Sequence, residues 1–247
     1  MLNFGKTLVV AAHPDDEVLG CGGLIAKLIK QGEQVRVVFI AEGTSCRYEA
    51  LNKKVQVEIN FRNKCSIEAL KTLGVSNHKF YNLPCGRLDK EPIIKIAKII
   101  EKEIADYKPI TVLTHADIDV NNDHKIIYRA VVQATRPVGN IVKNLLSFEV
   151  LSSTEWNYIE AFPPNIFVDV TSTINVKINA MHCYSTEQPK YPHPRSDMVI
   201  RSLASIRGSQ SGVEYAEGFS RWRWEFNSDR ERHAVWFCDG SEEGCVG

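Results

Sequence analysis

The sequence has no excess of charge of either sign. Thirty Lys and Arg residues balance thirty Asp and Glu residues, and the two signs are interspersed along the chain. A surface that binds the phosphate backbone of a nucleic acid needs positive charge gathered on one face. We therefore expect no nucleic-acid partner.

Long hydrophobic runs and a regular cysteine pattern are also missing. No apolar stretch reaches the roughly 20 residues that span a bilayer, and residues 1–6 lead into the first predicted strand without the apolar core of a secretory leader. The seven cysteines are odd in number, which argues against a disulfide framework. Cys21, Cys65 and Cys183 fall in helical patterns and are expected to be small core residues. These absences predict no membrane span and a cytoplasmic protein.

Internal repeats and a domain linker are absent as well. Apolar runs alternate with helical patterns, an order that predicts right-handed crossovers and a mostly parallel sheet. We predict a Rossmann-like, doubly wound α/β fold with helices on both faces, in a single domain of residues 1–227. Beyond Pro137 the sequence predicts strands at 148–151 and 166–170 and helices at 173–184 and 196–205. Residues 228–247 lack periodicity and are expected to form a loosely ordered tail.

A cluster of polar residues interrupts the first apolar run. Residues 7–12 read as a buried strand, and they are followed at once by a His-Pro-Asp-Asp-Glu segment at 13–17. A helix is predicted from Glu17 to Gln31, with Gly32 just past its end. The cluster therefore lies at the C-terminal edge of a strand, where open α/β sheets place their ligands. Taken alone, it is equally consistent with a helix N-cap.

A second apolar run, residues 110–114, ends in a loop that is just as polar, residues 115–124. A helix cap would explain Asp123, but it would not explain two polar loops at equivalent strand ends. If the two strands are neighbours, one carboxylate and two imidazoles come together. Zinc suits this donor set, although non-haem iron uses the same ligand types. The predicted metal ligands are His13, Asp16 and His124.

These motifs resemble those of the PIG-L/LmbE-type zinc-dependent N-deacetylases. The specific matches are residues 12–17, 20–23 and 119–124, and softer matches extend to about Phe219. The resemblance implies Zn²⁺ as cofactor and hydrolysis of the acetamide of an N-acetylated sugar, nucleotide-sugar or glycoconjugate. It also implies a homo-oligomer, either a trimer or a hexamer.

The donor set also suggests a mechanism. Zinc would bind a water molecule and polarise the acetamide carbonyl. Asp15 cannot easily share the coordination face of its neighbour Asp16, so it is free to take the proton of the water as general base. The resemblance assigns the same roles to these positions. Asp123 is counted with Asp15 among the candidate catalytic residues.

The sequence departs from the family pattern at Asn121. Many family members carry a histidine three residues before the third ligand, and an amide cannot supply a proton in its place. Asn121 remains a candidate catalytic position, and either Asp15 performs both proton transfers or another imidazole performs the second. His193 is the preferred candidate, with His115 and His182 as alternatives.

Two arginines are candidate substrate ligands. Arg47 follows a strand end and could grip a hydroxyl, phosphate or carboxylate, and Arg195 lies in the Pro-His-Pro-Arg loop. Several aromatic side chains could stack on a sugar ring. They are Trp156, Tyr158, Tyr184 and Tyr191.

Two other functions are weighed against the deacetylase. A nucleotide-binding module is suggested by the glycines at 20–23, but these fall inside the predicted helix rather than in a phosphate loop. An inactive metal-binding scaffold is the other alternative, and the presence of Asp15 beside the ligands argues against it.

Overall fold

A computed structural model describes residues 3–139 and 141–224 of the chain. The predicted tail, residues 228–247, lies outside the described residues. Within these ranges the chain forms seven strands, six α-helices and short 3-10 turns. None of the helices in them is long and apolar enough to cross a membrane.

The first half of the chain alternates strands and helices as the apolar runs predict. The first and fourth of these helices begin close to the end of the preceding strand, so the two polar loops are short. The elements are β1 (Thr7–Ala11), α1 (Asp16–Lys30), β2 (Val35–Ala41), α2 (Lys53–Leu73), β3 (Asn77–Leu83), α3 (Ile93–Tyr107), β4 (Thr111–His115) and α4 (Asn122–Ala134).

The second half departs from the prediction at two strands. The strand predicted at 148–151 is displaced, because the sheet pairs the preceding residues while Val150 and Leu151 are buried in a loop. A last strand was not predicted, because it contains glycine and glutamate, which are depleted in strands. The elements are β5 (Asn144–Phe148), β6 (Ile166–Asp169), α5 (Ile174–His182), α6 (Asp197–Ser211) and β7 (Ala216–Arg223).

The sheet has the strand order β3-β2-β1-β4-β5-β7-β6. The first five strands are parallel, and β7 pairs antiparallel with both β5 and β6. The mostly parallel, doubly wound fold is therefore confirmed. The strand order reverses between β1 and β4, which pair with Thr7 opposite Thr111. Ligands of open α/β sheets bind at such a switch point.

Two hydrophobic clusters cover the two faces of the sheet. Because side chains alternate along a strand, Val9 and Ala11 of β1 join the cluster formed with α1, α2, α5 and α6, while Leu8 and Val10 join the cluster formed with α3 and α4. The structure thus has helices on both faces, as predicted. This packing holds the ends of β1 and β4 side by side.

The glycines at 20–23 serve packing within α1. A Cβ on Gly20 would lie 2.2 Å from the ring of Phe148, and one on Gly23 would lie 2.8 Å from Val170. Only glycine allows the helix to approach the sheet this closely. Their place inside a helix removes the sequence argument for a phosphate-binding loop.

Candidate active site and metal centre

The three predicted metal ligands meet at the switch point between β1 and β4. His13 and Asp16 follow β1, and His124 lies in the first turn of α4. Asp16 Oδ2 is 3.4 Å from His13 Nδ1 and 3.3 Å from His124 Nε2. All three side chains are buried. The fold therefore places the ends of two separate segments close enough to share one ion.

The separations of these donor atoms and the hydrogen bonding of His124 both fit a metal ion. Zinc bonds of roughly 2.0–2.1 Å in a tetrahedron place neighbouring donor atoms roughly 3.3 Å apart, which agrees with the two separations above. In addition, His124 Nε2 is buried without a hydrogen-bond partner in the described part of the chain. In the neutral imidazole, whose Nδ1 faces Asp119, this nitrogen has its lone pair available for a cation.

In each donor histidine, the ring nitrogen that faces away from Asp16 contacts a second carboxylate. Asp123 Oδ2 lies 2.9 Å from His13 Nε2, and Asp119 Oδ2 lies 3.0 Å from His124 Nδ1. Asp123 is itself held by the backbone N–H of Gly86 at 2.6 Å. Such partners fix the tautomer and orientation of ligating histidines. Asp123, a candidate catalytic residue, therefore contacts the site as a positioning residue.

The electrostatics of the donor cluster favour a positive charge at its centre. Burial opposes a charged imidazole, but Asp16 and Asp119 outweigh burial and raise the pKa of His124 to about 10. Burial also raises the pKa of Asp16, yet His124 and His115 together hold that pKa well below its ordinary value. The same negative charges would attract a bound cation.

His115 lies behind the donor set. Its Nε2 accepts a hydrogen bond of 2.8 Å from the backbone N–H of Ala12, and its ring stacks on His124 with centroids 3.9 Å apart. Burial, and then His124, lowers the pKa of His115 to about 3. A neutral ring in this position is a poor proton donor, so the structure gives no support to His115 as the second acid.

Asp15 has an unusual backbone conformation at the start of α1. Its φ is +117° and its ψ is −27°, a region that residues other than glycine rarely adopt. Its N–H donates to Glu17 Oε2 at 2.9 Å, and its carbonyl accepts from Val18 and Leu19 at 3.1 and 3.0 Å. The first turn of the helix therefore holds Asp15 in a strained position, as is common for functional residues.

One oxygen of Asp15 is anchored and the other is unpaired. Oδ2 accepts a hydrogen bond of 2.7 Å from Arg195 and lies 3.0 Å from Arg62 Nη2. Oδ1 is buried and has no hydrogen-bond partner among the described residues. Burial raises the pKa of Asp15, and the two guanidinium groups oppose this rise without cancelling it. This carboxylate can accept a proton at Oδ1 without leaving its arginines.

Glu187 ties three arginines together beside Asp15. Arg47 Nη2 donates to both its oxygens at 2.9 and 2.7 Å, while Arg62 and Arg195 each lie 3.2 Å away. The predicted substrate ligands Arg47 and Arg195 are thus already paired with carboxylates. Their side chains still expose 47% and 20% of their surface, so both can also meet a ligand.

Among the described residues, His193 is linked to the site through its neighbour Arg195. Its Nδ1 accepts a hydrogen bond of 3.2 Å from the backbone N–H of Arg195, inside its own loop. Burial, and then the charge of Arg195, lowers its pKa below the ordinary value. The side chain of Arg195, rather than that of His193, makes the observed bond to Asp15.

The candidate catalytic position Asn121 and the alternative acid His182 both have structural partners. Asn121 is the N-cap of α4, and its side-chain oxygen accepts a hydrogen bond of 3.0 Å from the N–H of Asp123. His182 Nε2 lies 2.9 Å from Asp197 in a half-exposed surface pair. His182 is therefore held in a pair at the surface.

The prediction that Tyr184 stacks on a sugar ring is wrong. Tyr184 is fully buried, and its hydroxyl donates to Glu17 at 2.6 Å, so its ring cannot reach a ligand. Trp156, Tyr158 and Tyr191 are exposed and remain available. Tyr184 instead has a structural role, because it donates to Glu17, which accepts a hydrogen bond from the backbone N–H of Asp15.

Three residues of the site were assigned no role from the sequence. Arg62 lies on the buried face of α2 between Ile59 and Ser66, and a charged residue at such a position is a signal that could have been used. Asp119 could have been recognised as a histidine partner from its place in the polar loop. Glu187 lies in an irregular loop, and no local pattern marks it.

The comparisons with known proteins agree with this geometry. The family model described as "PIG-L: GlcNAc-PI de-N-acetylase" matches residues 8–135, which contain the complete donor set. The chain belongs to the PIG-L family. The predicted resemblance is therefore confirmed, and the chain is a member of a family of deacetylases.

Curated relatives extend the match over most of the chain. A Bacillus cereus protein named "Probable N-acetyl-alpha-D-glucosaminyl L-malate deacetylase 2" is 30% identical over 88% of this chain and 98% of its own. The diacetylchitobiose deacetylase of Thermococcus kodakarensis is 25% identical over 86% of this chain and 81% of its own. The chain is also similar to the 4-oxalmesaconate hydratase of Pseudomonas putida, 26% identical over 86% of this chain and 87% of its own.

A solved structure shares the fold. The N,N'-diacetylchitobiose deacetylase of Pyrococcus horikoshii superimposes with a TM-score of 0.72 and 22% identity, covering 88% of this chain and 84% of that one. The likeness supports the Rossmann-like architecture described above.

Proposed function

We propose that this protein hydrolyses the acetamide of an N-acetylated amino sugar or sugar conjugate, releasing acetate and a free amine. The proposal includes a zinc ion held by His13, Asp16 and His124. Its strongest support is the placement of a strained, partly unpaired carboxylate, Asp15, directly beside a buried three-donor set.

The zinc ion, when bound, supplies a Lewis acid for the carbonyl and lowers the pKa of an attacking water. Residues of the chain then carry out the two proton transfers. Asp15 Oδ1 accepts the proton of the water, while Arg62 and Arg195 hold Oδ2 in place. Asp15, or an imidazole such as that of His193, returns a proton to the leaving nitrogen.

The substrate class is supported by the surroundings of Asp15 and by the relatives. The guanidinium groups of Arg47 and Arg195 are partly exposed and can donate to hydroxyl, phosphate or carboxylate groups. Two of the similar proteins are named for N-acetylated sugar substrates. Exposed Trp156 and Tyr158 offer apolar faces for a ring or an aglycone.

Acetate release from defined substrates tests this function. The purified protein is incubated with zinc and with diacetylchitobiose, N-acetylglucosaminyl malate, N-acetylglucosaminyl phosphatidylinositol and a nucleotide-linked N-acetylglucosamine, and acetate and free amine are both measured. Asp15→Asn should keep the fold and the metal but lower kcat by roughly 10²–10⁴-fold, the range typical of a positioned general base.

Asp197→Asn is the matched control, because Asp197 is half-exposed and pairs with His182 rather than with a member of the donor set. It should leave acetate release unchanged. Near-normal turnover in Asp15→Asn would move the general base elsewhere. Hydration of an unsaturated tricarboxylate without any acetate release would instead favour the reaction named for the Pseudomonas relative.

A further inference from the structure

Two cysteines face each other beside the donor set, and neither has a role in the proposed reaction. Cys46 Sγ and Cys85 Sγ lie 3.0 Å apart. Cys46 is exposed and Cys85 is buried. Two sulfur atoms at this distance are closer than an ordinary contact, and a disulfide bond of about 2.05 Å is reached by a small movement.

The fold holds the two cysteine loops against each other. Cys46 follows β2 and Cys85 follows β3, and the carboxylate of Glu42 accepts hydrogen bonds from the backbone of both loops, from Ser45 at 2.9 Å and Cys85 at 2.8 Å. At Gly86, whose φ is +68°, a Cβ would lie 2.8 Å from that of Cys46. The absence of this side chain permits the close approach.

The distance suits a disulfide better than a metal bridge. Two thiolates that share a tetrahedral zinc ion, with bonds of about 2.3 Å, lie roughly 3.8 Å apart. The observed separation is shorter than this. Cys85 also neighbours Asp123 and His13, but Asp123 already accepts from Gly86 and His13.

Each cysteine is adjacent to a residue of the active-site network. Gly86, next to Cys85, donates to Asp123, and Asp123 holds the donor histidine His13. Arg47, next to Cys46, binds Glu187. A covalent bond between the sulfurs therefore pulls on the segment that orients a metal ligand.

We propose that Cys46 and Cys85 form a reversible disulfide when the protein meets a peroxide, and that this bond weakens metal binding at the neighbouring donor set. The exposed Cys46 thiolate attacks a peroxide oxygen and becomes a sulfenic acid, with hydroxide leaving. The Cys85 thiolate then attacks that sulfur and expels a second hydroxide. Two thiols and one hydrogen peroxide thus give one disulfide and two waters. The second part of the proposal rests on the metal site of the proposed function.

Peptide mapping tests the bond itself. The reduced protein is treated with hydrogen peroxide, remaining thiols are alkylated, and a tryptic digest is analysed without reductant. Peptides 37–47 and 80–87, each with one of the two cysteines, should appear joined, two hydrogens lighter than their sum, and should separate with dithiothreitol. Absence of this joined peptide, or Cys46 joined to a different cysteine, would overturn the proposal.

Zinc affinity tests the consequence independently of catalysis. Competition with a chromogenic chelator should show at least tenfold weaker zinc binding after oxidation, restored by dithiothreitol, with a matching fall in acetate release. Cys46→Ser should be insensitive to peroxide, while Cys183→Ser, at a partly buried cysteine elsewhere, should respond as the parent does.

The outcomes separate the two proposals. Unchanged zinc affinity in a protein with the joined peptide would refute the coupling. No acetate release from the reduced protein would count against the proposed function alone, because the mass and zinc measurements do not depend on it.

Discussion

The two sides of the active site are built in different ways. The donor side uses two short segments, residues 13–16 and 119–124, which leave adjacent parallel strands. The donor side chains in them, and the carboxylates of Asp119 and Asp123 that hold the histidines, are buried. The base side gathers Arg62, Glu187 and Arg195 from a helix and an irregular loop, and the bond from Arg195 to Asp15 joins residues 180 positions apart. The donor side is built from two short segments and is closed to solvent, whereas the base side combines distant segments and is partly exposed.

This difference decides what each side can tolerate. A buried histidine that loses its partner has no water to replace it, so the donor side depends on every bond. On the base side Asp15 is held by two guanidinium groups, so either arginine can partly replace the other. We therefore expect changes on the donor side to have larger effects than changes on the base side.

The largest effect is expected from His124→Ala. It removes a donor whose Nε2 is buried without a partner in the described part of the chain. Metal content should fall from about one ion per chain to less than about a tenth, since catalytic zinc sites need three protein ligands. Elemental analysis after dialysis measures this. His182→Ala, in a half-exposed surface pair, is the control, and full occupancy in His124→Ala would remove His124 from the ligand set.

A smaller effect on the same side is expected from Asp119→Asn. Asp119 holds His124 Nδ1 at 3.0 Å, and loss of such a partner typically costs 10–100-fold in metal affinity. Chelator competition gives the affinity, and thermal unfolding checks that the fold is retained. Unaltered affinity would mean that the stack on His115 is sufficient to orient the histidine.

The same contrast explains what the sequence could predict. The donor side was predictable because histidines and carboxylates directly follow two buried apolar runs, and these side chains meet once the two strands are neighbours. Strand β7 and the exact place of β5 were not, since antiparallel pairing in the second half depends on partners distant in sequence. The buried position of Arg62 could have been recognised from its helix face, but its ion pairs with Asp15 and Glu187 join segments that are distant in sequence. The predicted homo-oligomer, tail and cytoplasmic location stay predictions.

On the base side, Arg195→Gln should lower kcat about tenfold. The variant loses a charged hydrogen bond to Asp15, worth about 1.5–3 kcal/mol, but Arg62 still binds the same oxygen. Arg195→Lys should recover little, because Arg195 also donates from Nε to Ser152 and a lysine lacks this second donor. Steady-state kinetics separate kcat from KM. A loss as large as that of Asp15→Asn would show that the two arginines are not interchangeable.

The smallest effect is expected at His193. If its imidazole returns the proton to the leaving amine, His193→Ala should lower kcat by only about fivefold with little change in KM, because Asp15 can deliver the proton in its absence. The ring also accepts a bond from the backbone of Arg195, so His193→Gln is the control that keeps an acceptor but cannot supply a proton. Equal, normal rates in both variants would leave Asp15 as the sole proton carrier.

Asn121→His in the His193→Ala background completes this test. It places an imidazole at the position where many family members carry one, and it should restore part of the lost kcat if the acid has moved to His193. The substitution removes the N-cap of α4, which costs about 0.5–2 kcal/mol, so thermal unfolding must accompany the kinetics. Recovery of kcat despite lower stability would place the second proton transfer on an imidazole, whereas no recovery in a folded variant would assign it to Asp15.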